Sequence, residues 1–171
     1  MLYAEARPKI QTGDPLFFRG SGLLARIIRA QTESHFSHVG MAWVVGGRVL
    51  VLESRPKHRG VTIDRGLSDC LGEGVSWMPL GPGDHQFSLE RALCYLGKFY
   101  GWWNAVRAGL GFTPVPGGIQ CAQYASFVLG FPAYSGETPQ RLFELLHGHP
   151  IYLLEQEPSC PLTSKPGPPV A

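Results

Sequence analysis

The sequence predicts an α+β protein in which helices pack against an antiparallel sheet. Short runs rich in Val, Leu and aromatic residues alternate with segments of helical spacing, and Gly- and Pro-containing turns separate them. Two of the β-like runs are joined by Gly46-Gly47, which is a strong signal for an antiparallel hairpin. Because helices gather around such a sheet, the class is α+β rather than α/β. The 171 residues are enough for one domain with a real core.

The first half of the chain supplies most of the sheet. A turn at residues 13–15 leads into a short strand, 16–18, and residues 22–32 follow a helical pattern. In that helix we expect an inward apolar face and two arginines, Arg26 and Arg29, outside. The expected apolar face consists of Leu23, Leu24, Ile27 and Ile28. Four further β-like runs then follow, at 36–45, 48–54, 61–65 and 75–80.

The second half supplies most of the helices. Ser88 is suited to cap a helix over 88–100, and a second helical segment is expected over 102–110. A helical pattern runs from Gln120, with Cys121 in its first turn, until Gly130 ends it, and Thr138-Pro139 opens a last helix that runs to residue 148. Residues 151–154 complete the domain as an edge strand. These elements place the domain at residues 1–155.

Residues 156–171 form a proline-rich segment for which we expect extended or disordered structure, because it has little apolar area to bury. The N-terminus lacks a basic start followed by an apolar core, so it does not read as a signal peptide. No apolar run approaches the ~20 residues of a membrane-spanning helix. We therefore expect a cytoplasmic protein, although one released by cell lysis or carried by a phage particle would look the same.

The composition excludes several function classes. A formal net charge of +2 without a run of Lys or Arg gives no reason to expect nucleic-acid binding. The four cysteines contain no C-x-x-C pair, which argues against a zinc knuckle or a thioredoxin motif. His35-x-x-His38 does not converge on a strand and no carboxylate completes it, so we expect neither a metal nor a cofactor. The oligomeric state is not predicted.

Cys121 is the first candidate for chemistry. Pro114, Pro116 and Gly117-Gly118 stop any preceding helix, so Cys121 falls in the first turn of the next one. Unpaired N–H groups and the positive end of the helix dipole favour an anion there, and a thiolate is such an anion. The alternative is a small buried hydrophobe, which is the commoner role of a cysteine on a helix.

The hairpin supplies a candidate base. If Gly46 and Gly47 form the turn, Gly40 lies opposite Glu53, and His38 and Glu53 project from the same face as diagonal neighbours. Gly40 lies between them and has no side chain to block their contact. A loop longer by one residue would move Glu53 to the other face. Asp64 on the next strand is the reserve for the third position.

These three residue types suit nucleophilic catalysis. A cysteine nucleophile needs an imidazole within hydrogen-bond reach, and the imidazole needs a third group to fix its tautomer. Cys121, His38 and Glu53 can fill those places. The alternative is a half-buried histidine beside a glutamate with no catalytic role, since such pairs are common.

At these residues the sequence resembles the circularly permuted branch of the NlpC-type papain-like cysteine hydrolases. In the ordinary papain order the cysteine precedes the histidine, whereas here His38 comes first. The resemblance covers residues 12–154. It rests on the segment 13–18 before a helix, the segment 36–41 in the first long strand, Glu53 within 51–54, and Cys121 at a late helix start.

The resemblance implies a permuted papain-like fold with Cys121 as nucleophile, His38 as base and Glu53 as the orienting residue. It implies a hydrolase acting on an amide, for example a cell-wall peptide, or on an ester, with a small peptide, amide or acyl substrate. Related activities are acyl transfer and lipid hydrolysis, and an inactive binding or structural domain is the remaining alternative. The side-chain oxyanion residue of papain-like enzymes has no clear match, since neither Gln120 nor Gln123 is compelling.

Overall fold

The computed structural model describes residues 1–56, 60–81, 87–101, 118–132 and 138–157. Its helices are α1 (Tyr3–Ala6), α2 (Leu23–Gln31), α3 (Leu89–Cys94), α4 (Cys121–Val128) and α5 (Pro139–Leu145), with a 3-10 helix at Leu67–Glu73. Its strands are β1 (Pro15–Phe18), β2 (His38–Val45), β3 (Arg48–Arg55), β4 (Gly60–Thr62), β5 (Val75–Trp77) and β6 (Tyr152–Leu153).

The six strands form one antiparallel sheet in the order β4-β3-β2-β1-β5-β6. The α+β class is therefore confirmed. The hairpin of β2 and β3 lies next to β1 inside the sheet, while β4 and β6 end it. The hairpin turns at Gly46 and Gly47, both of which have positive φ, at 55° and 71°. Two consecutive positive φ angles match the twist of the flanking strands, and glycine adopts them without steric cost.

Each face of the sheet buries its own cluster of apolar side chains. On one face Val39, Met41 and Leu52 pack with residues of α4, including Cys121. On the other face Ala42 and Val51 pack with residues of α1 and of the 3-10 helix. The alternation of side chains along β2 and β3 produces this division. No sequence pattern predicted α1 or the 3-10 helix, which together cover the second face.

Several predicted elements end earlier than expected, among them the last helix, which ends at Leu145 and not at residue 148. The strand predicted over 61–65 ends at Thr62, and the one over 75–80 ends at Trp77. The helix predicted over 88–100 is wrong beyond Cys94, although Ser88 caps it as expected by accepting from Arg91 N at 3.2 Å. The chain beyond that helix hydrogen-bonds to β4 instead, since Val61 N donates to Lys98 O at 3.0 Å. The edge strand at β6 is confirmed, whereas the helix predicted over 102–110 lies outside the described residues.

The orientation predicted for α2 is only partly correct: Arg26 is exposed and Ile28 half-buried as expected, but Arg29 is half-buried rather than outside. Leu23 is 73% exposed and Ile27 is 44% exposed, so much of the expected apolar face is open to solvent. Ala25 and Ile28 are half-buried and line a cleft described below. Helical spacing identifies an apolar face but does not say what covers it.

Among the helices within the described ranges, none combines the length and apolarity needed to cross a bilayer. The proline-rich segment 156–171 lies outside the described residues from position 158 onward.

Candidate active site

Cys121 is the first residue of α4 and so lies in its first turn, as the sequence predicted, and it is 4% exposed. The segment before it is fixed to the hairpin, because Ser54 Oγ donates a hydrogen bond of 2.7 Å to Ile119 O. The N-terminus of α4 is capped by Gln120, whose Oε1 accepts from Ala122 N at 3.0 Å and lies 3.6 Å from Cys121 Sγ. The thiol therefore lies among polar groups at the start of the helix.

The two glutamines considered for the oxyanion position form this cap together. Gln123 Oε1 accepts from Gln120 N at 3.3 Å, while Gln120 Oε1 accepts from Ala122 N. Reciprocal bonds of this kind satisfy N–H groups that have no intrahelical acceptor. Both side-chain carbonyls are thus committed to the helix terminus.

The predicted hairpin register is confirmed. Gly40 pairs with Glu53, and the remaining pairs continue in step to Val45 and Arg48 at the turn. His38, the first residue of β2, therefore lies diagonally across from Glu53. The two side chains meet, with His38 Nε2 2.6 Å from Glu53 Oε2. The His38 side chain is 15% exposed, and that of Glu53 is fully buried.

Gly40 leaves the space that this contact needs. A Cβ atom at position 40 would lie 2.9 Å from Val51 Cγ1 and 3.2 Å from Glu53 Cβ. Contacts this short require the neighbouring side chains to move. The absence of a side chain at Gly40 therefore lets Glu53 approach His38 across the strand pair.

His38 also contacts Cys121. The body of α4 packs on the opposite face of the sheet from Glu53, but His38 begins its strand and Cys121 begins its helix, so the two meet at the end of the sheet. The Cys121 side chain is close enough to the imidazole to raise the pKa of His38. Since His38 Nε2 is engaged by Glu53, Nδ1 is the ring nitrogen that remains for the sulfur. The structure thus brings Cys121, His38 and Glu53 into one chain of contacts.

Arg65, which was not predicted from the sequence as a site residue, extends this chain of contacts. Its Nε donates to Glu53 Oε1 at 2.5 Å and its Nη2 donates to Glu53 Oε2 at 2.9 Å. Its Nη1 contacts Glu73 Oε1 at 2.5 Å. The guanidinium lies over the ring of Phe18, 5.2 Å from the centroid. A two-pronged contact of this kind fixes both the position and the orientation of a carboxylate.

The Phe18 ring supports both neighbours of Glu53. Its centroid is 5.2 Å from that of the His38 ring, so the same aromatic side chain lies against the imidazole and the guanidinium. Phe18 is 1% exposed, and its place opposite His38 is set by the pairing of β1 with β2. The apolar ring excludes water from one side of the His38–Glu53–Arg65 group, which strengthens its electrostatic contacts.

These contacts raise the pKa of His38 and lower the pKa of Glu53. Burial by itself lowers the pKa of His38, but its contacts with Cys121 and then with Glu53 favour the imidazolium and raise the pKa from 6.5 to about 9. Burial raises the pKa of Glu53, but the hydrogen bonds and charges of His38 and Arg65 lower it from 4.5 to about 2. At neutral pH the site therefore holds an ionised carboxylate beside a protonated imidazole.

The reserve residue Asp64 does not take the third position. Asp64 is exposed, whereas Arg65 turns inward to Glu53. Strict alternation from Thr62, which pairs with Glu53, would put Asp64 on the Glu53 face and Arg65 on the other. The alternation fails because β4 ends at Thr62. The available signal for Arg65 was chemical: a buried glutamate needs a cationic partner.

A cleft of about 320 Å³ opens beside His38. One wall comes from the start of α2 and the other from the end of β3, and Tyr100 and Glu73 contribute to its lining. Burial raises the pKa of Tyr100, and the nearby Cys121 raises it further, so this phenol stays protonated. A substrate that occupies the cleft would lie against the imidazole of His38.

The other described cysteines differ from Cys121 in their surroundings. The three cysteines that the structure describes, Cys70, Cys94 and Cys121, are all free. Burial raises the pKa of Cys70 from 9.0 to about 12. Cys94 is exposed at the end of α3. Of these three, only Cys121 stands at a helix start in contact with a histidine.

Comparison with known proteins shows the fold alone. No protein-family model matches the chain, and no curated protein matches it. Among solved structures the chain is similar to the metalloprotein yiiX from Escherichia coli O157:H7, assigned to DUF1105, with a TM-score of 0.51 and 21% identity. The similarity covers 71% of this chain and 68% of that one. It therefore extends over most of the domain and supports the arrangement of helices around the sheet.

Proposed function

We propose that this protein is a thiol hydrolase that cleaves an amide or ester bond through an acyl-enzyme on Cys121. The observation that carries the proposal is that His38 has two partners. Its imidazole contacts Cys121 on one side, and its Nε2 lies 2.6 Å from Glu53 Oε2 on the other. A nucleophile, a base and an orienting group in this order are the requirements for activating a thiol.

Before the substrate binds, His38 already holds the Cys121 proton as an imidazolium, and in the first step the thiolate attacks the acyl carbon of the substrate. The negative charge that forms on the acyl oxygen would be held by the backbone N–H of Cys121, which the Gln120–Gln123 cap does not use. The tetrahedral intermediate collapses, the carbon–leaving-group bond breaks, and the imidazolium gives its proton to the departing amine or alcohol. The acyl group then remains on Cys121 as a thioester.

In the second step His38 takes a proton from water as the water attacks the thioester. The carbon–sulfur bond breaks, a carboxylic acid leaves, and the proton stays on His38 beside the released Cys121 thiolate. Glu53 stays ionised throughout, because Arg65 holds both of its oxygens. Its role is to keep His38 Nε2 protonated and the ring in place.

The residues at this site do not fit a metal centre. The structural relative described above is named a metalloprotein, but within the ranges described for this chain no group of three or more His, Cys, Asp or Glu side chains is arranged to hold an ion. Both Glu53 oxygens and His38 Nε2 are already in hydrogen bonds. The proposed steps therefore use side chains and water alone.

The order of the site residues also supports the proposal. His38 and Glu53 on neighbouring strands precede Cys121 on a later helix, which is the order implied by the resemblance to permuted NlpC-type hydrolases. We extend the proposal to that family relationship and to its permuted papain-like architecture. An acyltransferase or lipid hydrolase is the second candidate, favoured by the apolar surface that Leu23 and Ile27 expose near the cleft.

Selective alkylation of Cys121 tests the proposal. In a chain carrying Cys94→Ser and Cys160→Ser, limiting iodoacetamide is expected to label Cys121 and leave buried Cys70 unmodified. Labelling should persist below neutral pH, and His38→Ala should abolish it, because an unpaired thiol is mostly protonated there. Equal, slow labelling of Cys70 and Cys121 by peptide mass mapping would contradict the proposal, as would labelling unaffected by His38→Ala.

A substrate comparison then separates the two candidates. A dipeptide cell-wall fragment and a short-chain acyl ester would each be incubated with the protein, and the acyl adduct on Cys121 would be sought by mass spectrometry after acid quenching. An adduct from the peptide supports the amidase, and an adduct from the ester alone supports the lipid-directed activity. A chelator such as EDTA should change neither result.

A further inference from the structure

The cleft beside His38 contains a cation that the proposed mechanism does not use. Arg55 is the last residue of β3, and its side chain lines the cleft together with His38 and Tyr100. It is 23% exposed, so it is accessible from the cleft without being fully solvated. Its position follows from the hairpin, because the register that places Gly40 opposite Glu53 puts His38 opposite Arg55.

The hydrogen-bond donors of Arg55 are unused within the described part of the chain. Arg55 Nη1 lies 3.7 Å from Glu53 Oε1, and Arg55 Nη2 lies 3.8 Å from Glu73 Oε1, both too long for hydrogen bonds. Arg65 takes both of these oxygens at 2.5 Å. The two carboxylates therefore hold Arg55 near the cleft by charge, while its N–H groups remain available to a ligand.

We propose that Arg55 binds an anionic group of the substrate, a carboxylate or a phosphate, in the cleft beside His38. The proposal rests on the proposed function, because it places this anion on the substrate whose acyl carbon Cys121 attacks. Arg55 presents a planar fork of N–H donors, which matches the paired oxygens of both groups. The substrate class is thus an amide or ester that carries a negative charge close to the bond that is cleaved.

The rest of the cleft makes this interaction selective. Phe18, Ala25, Ile28 and Pro56 give it an apolar lining, and a charge contact surrounded by apolar groups is stronger than one in water. Glu73 is the opposing charge, but Arg65 Nη1 already contacts it. Removing the Glu73 charge should therefore strengthen anion binding at Arg55, whereas removing Arg55 should eliminate it.

Thiol reagents that differ only in charge test whether Arg55 binds an anion, and they require no known substrate. In the chain with Cys94→Ser and Cys160→Ser, Cys121 would be alkylated by N-iodoacetylglycine, by its neutral methylamide and by the corresponding phosphonate. The measured quantity is the rate with each anionic reagent divided by the rate with the neutral one. Arg55→Met should lower this ratio about tenfold, as expected for loss of a charge-assisted contact. The reagent with the larger effect identifies carboxylate or phosphate as the preferred group.

Comparing the rate ratio between variants separates the contribution of Arg55 from that of other charged groups. The His38 imidazolium attracts anions in every variant, so only the change between variants counts. Arg48 begins the strand that Arg55 ends, and Arg48→Met serves as the matched control, with the ratio of the parent chain expected. Arg55→Lys should keep part of the preference. If Arg55→Met does not fold, Glu73→Gln provides the second test and should raise the ratio.

The outcomes are distinguishable. Reaction of Cys121 with equal ratios in the parent chain and in Arg55→Met would overturn the anion site and leave the hydrolase proposal intact. A ratio unchanged or lowered by Glu73→Gln would also count against the site. Failure of Cys121 to react selectively with any of the reagents would overturn the proposed function and the anion site with it.

Discussion

Glu53 Oε2 accepts from His38 Nε2 at 2.6 Å and from Arg65 Nη2 at 2.9 Å, so one buried oxygen joins the imidazole to the guanidinium. The carboxylate cannot turn away from His38 without also losing Arg65. This coupling gives the site a fixed orientation and makes its charge state part of the stability of the domain.

The first prediction concerns stability in acid. The pKa of Glu53 is lowered from 4.5 to about 2 by folding, so the ionised form stabilises the folded state above pH 4.5 and loses that effect as the pH falls toward 2. A shift of this size corresponds to about 3 kcal/mol. Urea unfolding at pH 5 and at pH 2.5 should show a loss on this order attributable to Glu53.

The control for this prediction is a direct titration. Carbon-13 NMR of the Glu53 carboxyl should show it ionised at pH 3.5, where exposed glutamates are protonated. Glu53→Gln should flatten the acid dependence of unfolding, at the cost of a lower stability at neutral pH, because Arg65 is left without its partner. A Glu53 carboxyl that titrates near 4.5 would contradict the assigned contacts.

The second prediction concerns alkaline pH. The pKa of His38 is raised to about 9, so the imidazolium contributes stability that is complete below pH 6.5 and lost as the pH rises through 9. Nuclear magnetic resonance of the His38 ring should show this titration, and selective Cys121 labelling should lose its dependence on His38 above it. In Glu53→Gln the ring should titrate at lower pH, since the charge that favours the imidazolium is gone. Titration of His38 near 6.5 in the parent chain would rule out the paired site.

The third prediction assigns Arg65 a positioning role. Arg65→Met should leave Glu53 buried without its cationic clamp, raise the pKa of Glu53, and slow Cys121 labelling by about tenfold to a hundredfold. Destabilisation of about 3 kcal/mol is expected, as for other broken buried ion pairs. Arg65→Lys keeps the positive charge but loses the two parallel N–H donors of the guanidinium. Compared with Arg65→Met, it should therefore recover more of the stability than of the labelling rate.

A purely structural role for Arg65 predicts a different outcome. In that case Arg65→Met would lower stability but leave the pH dependence of Cys121 labelling in the folded protein unchanged. The pH profile, measured well below the unfolding transition, therefore separates the two roles. An acid limb that moves to higher pH in Arg65→Met supports positioning through Glu53.

The sequence predicts the hairpin and its diagonal pair because both depend on local rules. Gly46-Gly47 fixes the turn, the turn fixes the register, and the register places Glu53 beside His38. It also identifies the helix start at Cys121, because the preceding proline and glycine residues cannot continue a helix. These parts of the fold need no knowledge of distant contacts.

Other features depend on contacts that are remote in sequence. Arg65 turns toward Glu53 only because β4 stops at Thr62, and the length of that strand is set by what pairs beside it. The exposure of Leu23 and Ile27 reflects the absence of a covering element within the described ranges. The cleft lies between α2 and the end of β3, which no local pattern relates to each other.

The last prediction concerns the space at Gly40. Gly40→Ala would place a Cβ 2.9 Å from Val51 Cγ1, 3.1 Å from Leu52 O and 3.2 Å from Glu53 Cβ. Because backbone and packed side chains both oppose it, the substitution should cost about 1–3 kcal/mol. Displacement of Glu53 should also lower the pKa of His38 and slow Cys121 labelling. Gly72→Ala is the matched control, since a Cβ there meets nothing within 4 Å. Equal stability and labelling in the two variants would show that the glycine does not set the distance between His38 and Glu53.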